Sequence, residues 1–136
     1  MAAVTELIRT EGDGSLSFGN HTLTAKSKKE GFEFGGDQYK VKTYQEITKL
    51  EKNGMFVYES VPGTSVEHFM ENENGVSFLV EGAEDAQLTL GLEEDTEYNV
   101  KVNGQNAGVV RTNLGGKLSV SVELAGFSEV KVEISK

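Results

Sequence analysis

The stretch Leu118-Ser-Val-Ser-Val-Glu-Leu124 decides the fold class, because aliphatic and polar residues alternate along its whole length. Successive side chains of a β-strand point to opposite faces of the sheet, so this pattern predicts a strand with one buried face. Similar short segments recur at 16–18, 32–34, 39–43, 76–80, 88–90, 98–102 and 130–134. Met55-Phe-Val-Tyr58 predicts a more fully buried strand, and Val109-Val110 predicts a further short one. About nine or ten short strands at close spacing predict a mainly β protein, a sandwich or a barrel.

Turn residues separate these segments. Asn74-Gly75 precedes the segment that begins at Val76, and Asn103-Gly104 follows Val102. Asn-Gly is the favoured pair where a hairpin needs positive φ at both central residues. The chain has 136 residues and no long linker, so we expect a single domain spanning 1–136.

One segment departs from the β pattern. Thr43-Tyr-Gln-Glu46 matches a capping box, and Tyr44, Ile47 and Leu50 follow at helical spacing. This predicts a short helix near 44–52. The alternative is a hairpin that turns at Asn53-Gly54.

The charge of the chain is acidic and uneven. The net charge is −9, with −2 in residues 1–68 and −7 in residues 69–136, yet seven of the eleven lysines lie between Lys26 and Lys52. So acidic a chain is a poor candidate for binding nucleic acid, because phosphate contacts need a basic surface. The lysine cluster is either a solvated face that discourages strand pairing, or a patch for an anionic ligand or for the acidic half of another copy.

The search for catalytic residues returns mostly exclusions. Cys is absent, and the chain has no phosphate-binding loop or nucleophile elbow. The two histidines, His21 and His68, are too few for a zinc site of the usual kind, so we expect no catalytic residues, no metal and no cofactor. Twenty-two carboxylates leave a glycosidase-type acid pair open.

Tyrosines suggest a ligand platform. Tyr39, Tyr44 and Tyr58 all lie in the lysine-rich region, and exposed rings of this kind stack on sugars. The platform requires exposed rings; the alternative places the tyrosines in the core, where each hydroxyl needs water or a partner.

A family resemblance rests on residues 92–102. Leu92-Glu-Glu-Asp-Thr-Glu-Tyr98-Asn-Val-Lys-Val102 resembles the signature of fibronectin type III domains. The resemblance implies an immunoglobulin-like antiparallel β-sandwich, in which Tyr98 forms a tyrosine corner and Leu92 is its buried anchor. Glu94 stands where the family has proline. The whole chain also resembles small bacterial proteins labelled endosialidase, although two arginines are too few for the arginine triad of sialidases.

These observations favour a non-catalytic binding or interaction module with a protein or glycan ligand. A carbohydrate-active enzyme that uses Asp and Glu is one alternative, and a structural, self-associating protein (a homo-oligomer) is another. We expect no membrane partner, since no apolar run is long enough to span a bilayer. As written, the sequence suggests a cytoplasmic location, or an extracellular one if a leader was removed.

Overall fold

The computed structural model describes residues 3–136, and all regular secondary structure in that range is β-strand. The thirteen strands are β1 (Ile8–Thr10), β2 (Leu16–Phe18), β3 (Ser27–Phe34), β4 (Asp37–Tyr44), β5 (Ile47–Lys52), β6 (Met55–Val61), β7 (Ser65–Asn72), β8 (Gly75–Glu81), β9 (Ala86–Gly91), β10 (Glu97–Val102), β11 (Gln105–Arg111), β12 (Lys117–Val122) and β13 (Val130–Ser135). Residues 3–136 contain no helix that could cross a membrane.

The strands form two antiparallel sheets packed face to face. Sheet A has the order β1-β2-β7-β8-β13-β10-β11, and sheet B has the order β12-β9-β6-β5-β4-β3. Phe18 of sheet A meets Tyr58 of sheet B edge to face, with ring centroids 5.2 Å apart, and both side chains are fully buried. Burial of such rings stabilises the fold by roughly 1.5–3 kcal/mol each. The predicted β-sandwich is therefore confirmed at the level of two packed antiparallel sheets.

The prediction of a helix near 44–52 is wrong, because β4 and β5 form a hairpin there. Thr43, the expected helix cap, lies fully buried between the sheets. Its hydroxyl accepts a hydrogen bond from the backbone N–H of Asn20 at 2.9 Å and shares another with Thr48 at 2.8 Å. The inward pair in β5 is Thr48 and Leu50, so burial follows a period of two rather than the helical period.

Two further strands, β1 and β7, were not predicted. β1 has three residues, of which one, Ile8, is buried. In β7, Val66 and Phe69 are both buried although they are three residues apart. A β-bulge between Glu67 and Met70 inserts an extra residue there, so that the alternation is lost from the sequence.

The turns follow the Asn-Gly signals in two of three cases. Asn53-Gly54 joins β5 to β6 and Asn103-Gly104 joins β10 to β11, with φ of 52° and 79° in the first pair and 51° and 80° in the second. Both pairs have the left-handed backbone that Asn-Gly supplies at low cost. At the third site the turn comes one residue earlier, because Asn72 Oδ1 accepts hydrogen bonds from the N–H groups of Asn74 and Gly75.

Candidate binding surface

A row of lysines crosses the outer face of sheet B. Lys28 of β3 lies opposite Lys42 of β4, which in turn lies opposite Lys49 of β5. Neighbouring strands are about 4.8 Å apart, so the three side chains leave the sheet side by side. The row continues through Glu59 of β6, Thr89 of β9 and Ser119 of β12. We call Lys28, Lys42 and Lys49 the lysine row.

The charges of the lysine row are incompletely paired. Lys28 lies 3.4 Å from Glu30, and Lys49 lies 3.7 Å from Glu51. Within residues 3–136, Lys42 forms no ion pair, and both of its cross-strand neighbours are lysines. Lys40 is two residues from Lys42 on the same strand and therefore on the same face, where it lies opposite Glu51 of β5.

An apolar strip lies beside the lysine row. Tyr44 of β4 pairs with Ile47 of β5, two residues along from Lys42 and Lys49 on the same face. Val61, at the end of β6, is 55% exposed although its side chain is aliphatic. A ligand on the lysine row could therefore also contact apolar groups.

The structure does not bring the three predicted platform tyrosines together on the surface. Tyr58 is fully buried and Tyr39 is 6% exposed, so neither ring offers a face to a ligand. The Tyr58 hydroxyl forms a hydrogen bond with Thr64 Oγ1 at 2.7 Å, and burial raises the pKa of this tyrosine far above its ordinary value. Tyr44 is the member of the set on the outer face, with Lys26 Nζ 5.8 Å from its ring centroid. Ligand binding at Tyr44 stays a prediction.

A cleft of about 750 Å³, here called the end-loop cleft, lies where loops from both sheets meet. Its wall is fixed by a close approach at Gly63, whose N–H donates to the carbonyl of Gln45 at 3.0 Å. The residues that line the cleft are uncharged, acidic or imidazole: His21, Thr22, Gln45, Glu46, Val61, Pro62, Gly63, Ala83 and Glu84. A cleft of this size can hold a small ligand.

His21 in this cleft is held by a buried serine. Its Nδ1 lies 2.7 Å from Ser65 Oγ, which also accepts the backbone N–H of His21 at 3.2 Å. Burial lowers the pKa of His21, and the nearby charge of Glu81 opposes that shift only in part. Ser65 is fully buried, so a substrate could not reach its hydroxyl as a nucleophile.

The second histidine, His68, belongs to a polar cluster around β1, β2 and β7. Its Nδ1 lies 3.0 Å from Asp13 Oδ2 and 3.2 Å from Ser15 Oγ. In a catalytic relay the acid and the nucleophile occupy different ring nitrogens. Here both lie at Nδ1, so the cluster lacks the geometry of a Ser-His-Asp triad. His68 has a φ of 56°, a conformation imposed by the bulge in β7.

Two loops are rich in acidic residues, at 84–85 and 93–95, and in each the aspartate has a structural partner. Asp85 Oδ1 accepts the backbone N–H groups of Leu124 at 3.0 Å and Ala125 at 3.1 Å, and Asp95 pairs with Arg111 at 3.0 Å. Within residues 3–136, no group of three or more His, Asp or Glu side chains is placed to hold a metal ion.

The segment that resembles fibronectin type III domains is held by Tyr98. This side chain is 2% exposed, and its hydroxyl accepts the backbone N–H of Glu93 at 3.2 Å. Leu92 is half-buried and packs against the core. The family resemblance and the corner role of Tyr98 remain predictions.

In comparisons with known proteins, no protein-family model, no curated protein and no solved structure matches the chain. Sequence reasoning found the lysine-rich segment but not its register. The signal was present in Lys40 and Lys42, whose spacing of two residues places both on one face of a strand.

Proposed function

We propose that this protein is a non-catalytic binding module that receives an anionic protein or glycan on the outer face of sheet B. The observation that carries the proposal is the register of Lys28, Lys42 and Lys49 across three neighbouring strands. The three ammonium groups form a positive strip on a chain whose net charge is −9, although Glu30 and Glu51 partly neutralise Lys28 and Lys49 at its ends. Such a strip attracts carboxylates or sulfates that the rest of the surface repels.

Folding alone does not account for the lysine row. Like charges directly opposite each other in a sheet destabilise it, by roughly 0.2–1 kcal/mol for each pair. Lysines on an edge strand prevent sheets from pairing with one another, which explains Lys28 on β3. Lys42 and Lys49 lie on the inner strands β4 and β5, where no edge needs protection. Edge protection does not explain Lys42 and Lys49, whereas a binding role does.

The apolar strip favours a ligand with both charged and apolar parts. Tyr44 and Ile47 lie one step from the lysine row, and an aromatic ring there can stack on a sugar ring or pack against a side chain. An acidic glycan and an acidic protein surface both meet this requirement, so both are probed in the same experiment.

The test is a binding titration with two polyanions, polyglutamate for the protein class and polygalacturonate for the glycan class. The row variant changes Lys28, Lys42 and Lys49 to Gln, and the matched control changes three lysines outside sheet B to Gln: Lys101, Lys131 and Lys136. Both variants alter the net charge equally. We expect the row variant to lose about tenfold or more in affinity, since about three ion pairs are removed, and the control to bind nearly as the unaltered chain does. Equal losses in the two variants, or no binding by the unaltered chain, would refute the proposal.

A carbohydrate-active enzyme is the second candidate, because the end-loop cleft contains two carboxylates, Glu46 and Glu84. Glycosidases use such a pair as acid and base or as acid and nucleophile. Hydrolysis should then be detectable on some glycan and should be lost in both Glu46→Gln and Glu84→Gln. Hydrolysis that survives both substitutions would eliminate this pair.

A further inference from the structure

The four edge strands of the sandwich differ in their protection against pairing. In sheet A, β1 has three residues and β11 contains Gly108 and pairs with β10 through a bulge. In sheet B, β3 carries Lys28 and Lys29 and also has a bulge. β12 lacks all of these devices, because it pairs with β9 over six residues in unbroken register and its one charge is at Lys117. A regular, nearly uncharged edge is a template for another strand.

Hydrogen bonds at the two ends of β12 show which of its backbone groups face away from β9. On the β9 side, the carbonyl of Gly116 accepts the N–H of Leu92 at 2.7 Å, and the N–H of Leu124 donates to Asp85 at 3.0 Å. Lys117 is turned the other way, with its N–H and C=O both bonded to Asn113. Backbone direction alternates along a strand. Ser119 and Ser121 therefore point their N–H and C=O groups away from β9, where no strand of residues 3–136 pairs with β12.

We propose that two copies of this chain pair antiparallel through β12, with the twofold axis at Val120. The sequence Lys117-Leu-Ser-Val-Ser-Val-Glu123 is complementary to itself in that register. Lys117 of each copy lies opposite Glu123 of the other on the outer face, and Ser119 lies opposite Ser121. Val120 meets its own counterpart.

The backbone direction agrees with this register. Ser119 and Ser121 are the residues with free groups, and each hydrogen-bonded pair in an antiparallel ladder exchanges two bonds. The two symmetric pairs would thus form about four backbone hydrogen bonds. Asn113 occupies the backbone of Lys117, so at the ends of the contact the charged side chains replace the ladder. The interface also covers Val120, a half-buried valine that packs against the core.

A dimer of this kind joins the two copies of sheet B into one continuous sheet. The contact is isologous, as expected for a twofold dimer, and closes after two copies. Both lysine rows would then lie on the same face of the joined sheet. The dimer stands or falls independently of the proposed function, since none of the three lysines of the row takes part in it.

The experiment is sedimentation velocity over a wide range of protein concentration, on the unaltered chain and four variants. Ser121→Pro removes an N–H that β9 does not use, so the fold is retained while the edge is blocked. Lys117→Glu and Glu123→Lys each place like charges opposite one another, and the double variant restores opposite charges in reversed positions. Thermal unfolding at low concentration checks that each variant folds.

We expect the mass of the unaltered chain to rise towards that of a dimer, and Ser121→Pro to stay monomeric. Each single charge reversal should weaken dimerisation by about tenfold, and the double variant should recover it. A chain that is monomeric at every concentration would overturn the inference. So would a dimer that persists in Ser121→Pro, or charge reversals without effect. If Ser121→Pro fails to fold, the double variant is the deciding test: recovered dimerisation supports the inference, and a double variant as weak as the single ones overturns it.

Discussion

Replacement of Lys42 by Glu should stabilise the fold, although it removes a positive charge from the proposed ligand surface. Lys42 stands between Lys28 and Lys49 in register and forms no ion pair within residues 3–136. The substitution converts two pairs of like charges into two pairs of opposite charges. Lys and Glu are both weak strand formers, so the change of intrinsic propensity is small.

The magnitude follows from the two pairs. Each cross-strand charge pair contributes roughly 0.2–1 kcal/mol, so the free energy of unfolding should rise by about 0.5–2 kcal/mol at low salt. Screening shortens the reach of these charges to about 3 Å at 1 M salt, and the gain should therefore shrink as NaCl is added. Urea unfolding followed by far-UV circular dichroism at low and high NaCl measures both quantities.

A matched control lies on the other sheet. Lys101 of β10 is opposite Glu133 of β13, so Lys101→Glu creates a pair of like charges where an opposite pair existed. The control should lose about 0.2–1 kcal/mol under the same conditions. If Lys42→Glu lowers the free energy of unfolding at low salt, or if its gain does not respond to salt, the lysine row is not an electrostatic cost and the reasoning fails.

Three further predictions concern the cleft and the core. Gly63→Ala should destabilise the fold by several kcal/mol, measured by urea unfolding, because an added Cβ would lie 1.9 Å from the carbonyl oxygen of Tyr44; an unchanged midpoint would contradict the close approach. Burial lowers the pKa of His21, so the folded protein binds this proton less readily than the unfolded chain does. Stability is therefore greatest above the ordinary pKa of histidine, and it falls as the pH drops from that value towards the lower pKa of the folded state. His21→Asn should therefore flatten the fall in unfolding free energy between about pH 7 and pH 5, and an unaltered slope would speak against burial as the cause. Tyr58→Phe should cost about 1 kcal/mol through the lost hydrogen bond to Thr64 and leave polyanion binding unchanged, whereas weaker binding would place Tyr58 at the ligand surface.

Most of the ten strands predicted from the sequence have alternating polar and apolar residues, whereas β6 was predicted from the apolar run Met55-Phe-Val-Tyr58. β12 and β8 are examples of the alternation, because their buried residues fall at every second position. β7 was missed because its bulge breaks this rule between Glu67 and Met70. β5 was read as a helix because a chance capping box preceded it, while its inward residue Thr48 is polar and gives no hydrophobic signal. A sequence pattern predicts burial from apolar side chains alone, so it does not predict buried hydroxyl pairs such as Thr43 and Thr48.

The candidate surface was predictable in part. The concentration of lysines between Lys26 and Lys52 is plain in the sequence, but their alignment depends on hairpin register. The alternative to the helix was a hairpin that turns at Asn53-Gly54, which joins β5 to β6. The pairing of β4 with β5, on which the lysine row depends, was not predicted. The tyrosine platform was predicted from neighbouring positions in the sequence, but two of its three members are buried. Tyr39 lies on the inner face of β4, whose outer face carries Lys42, and Tyr58 lies on the inner face of β6.

Chemical-shift mapping tests the central claim most directly. A ¹⁵N-labelled sample titrated with polygalacturonate or polyglutamate reports which backbone amides sense the polyanion. The proposed function predicts that the largest shifts lie in β3, β4 and β5 around Lys28, Lys42 and Lys49, and that they fade as salt is added. Shifts concentrated at the end-loop cleft around His21, or absent from these three strands, would contradict it.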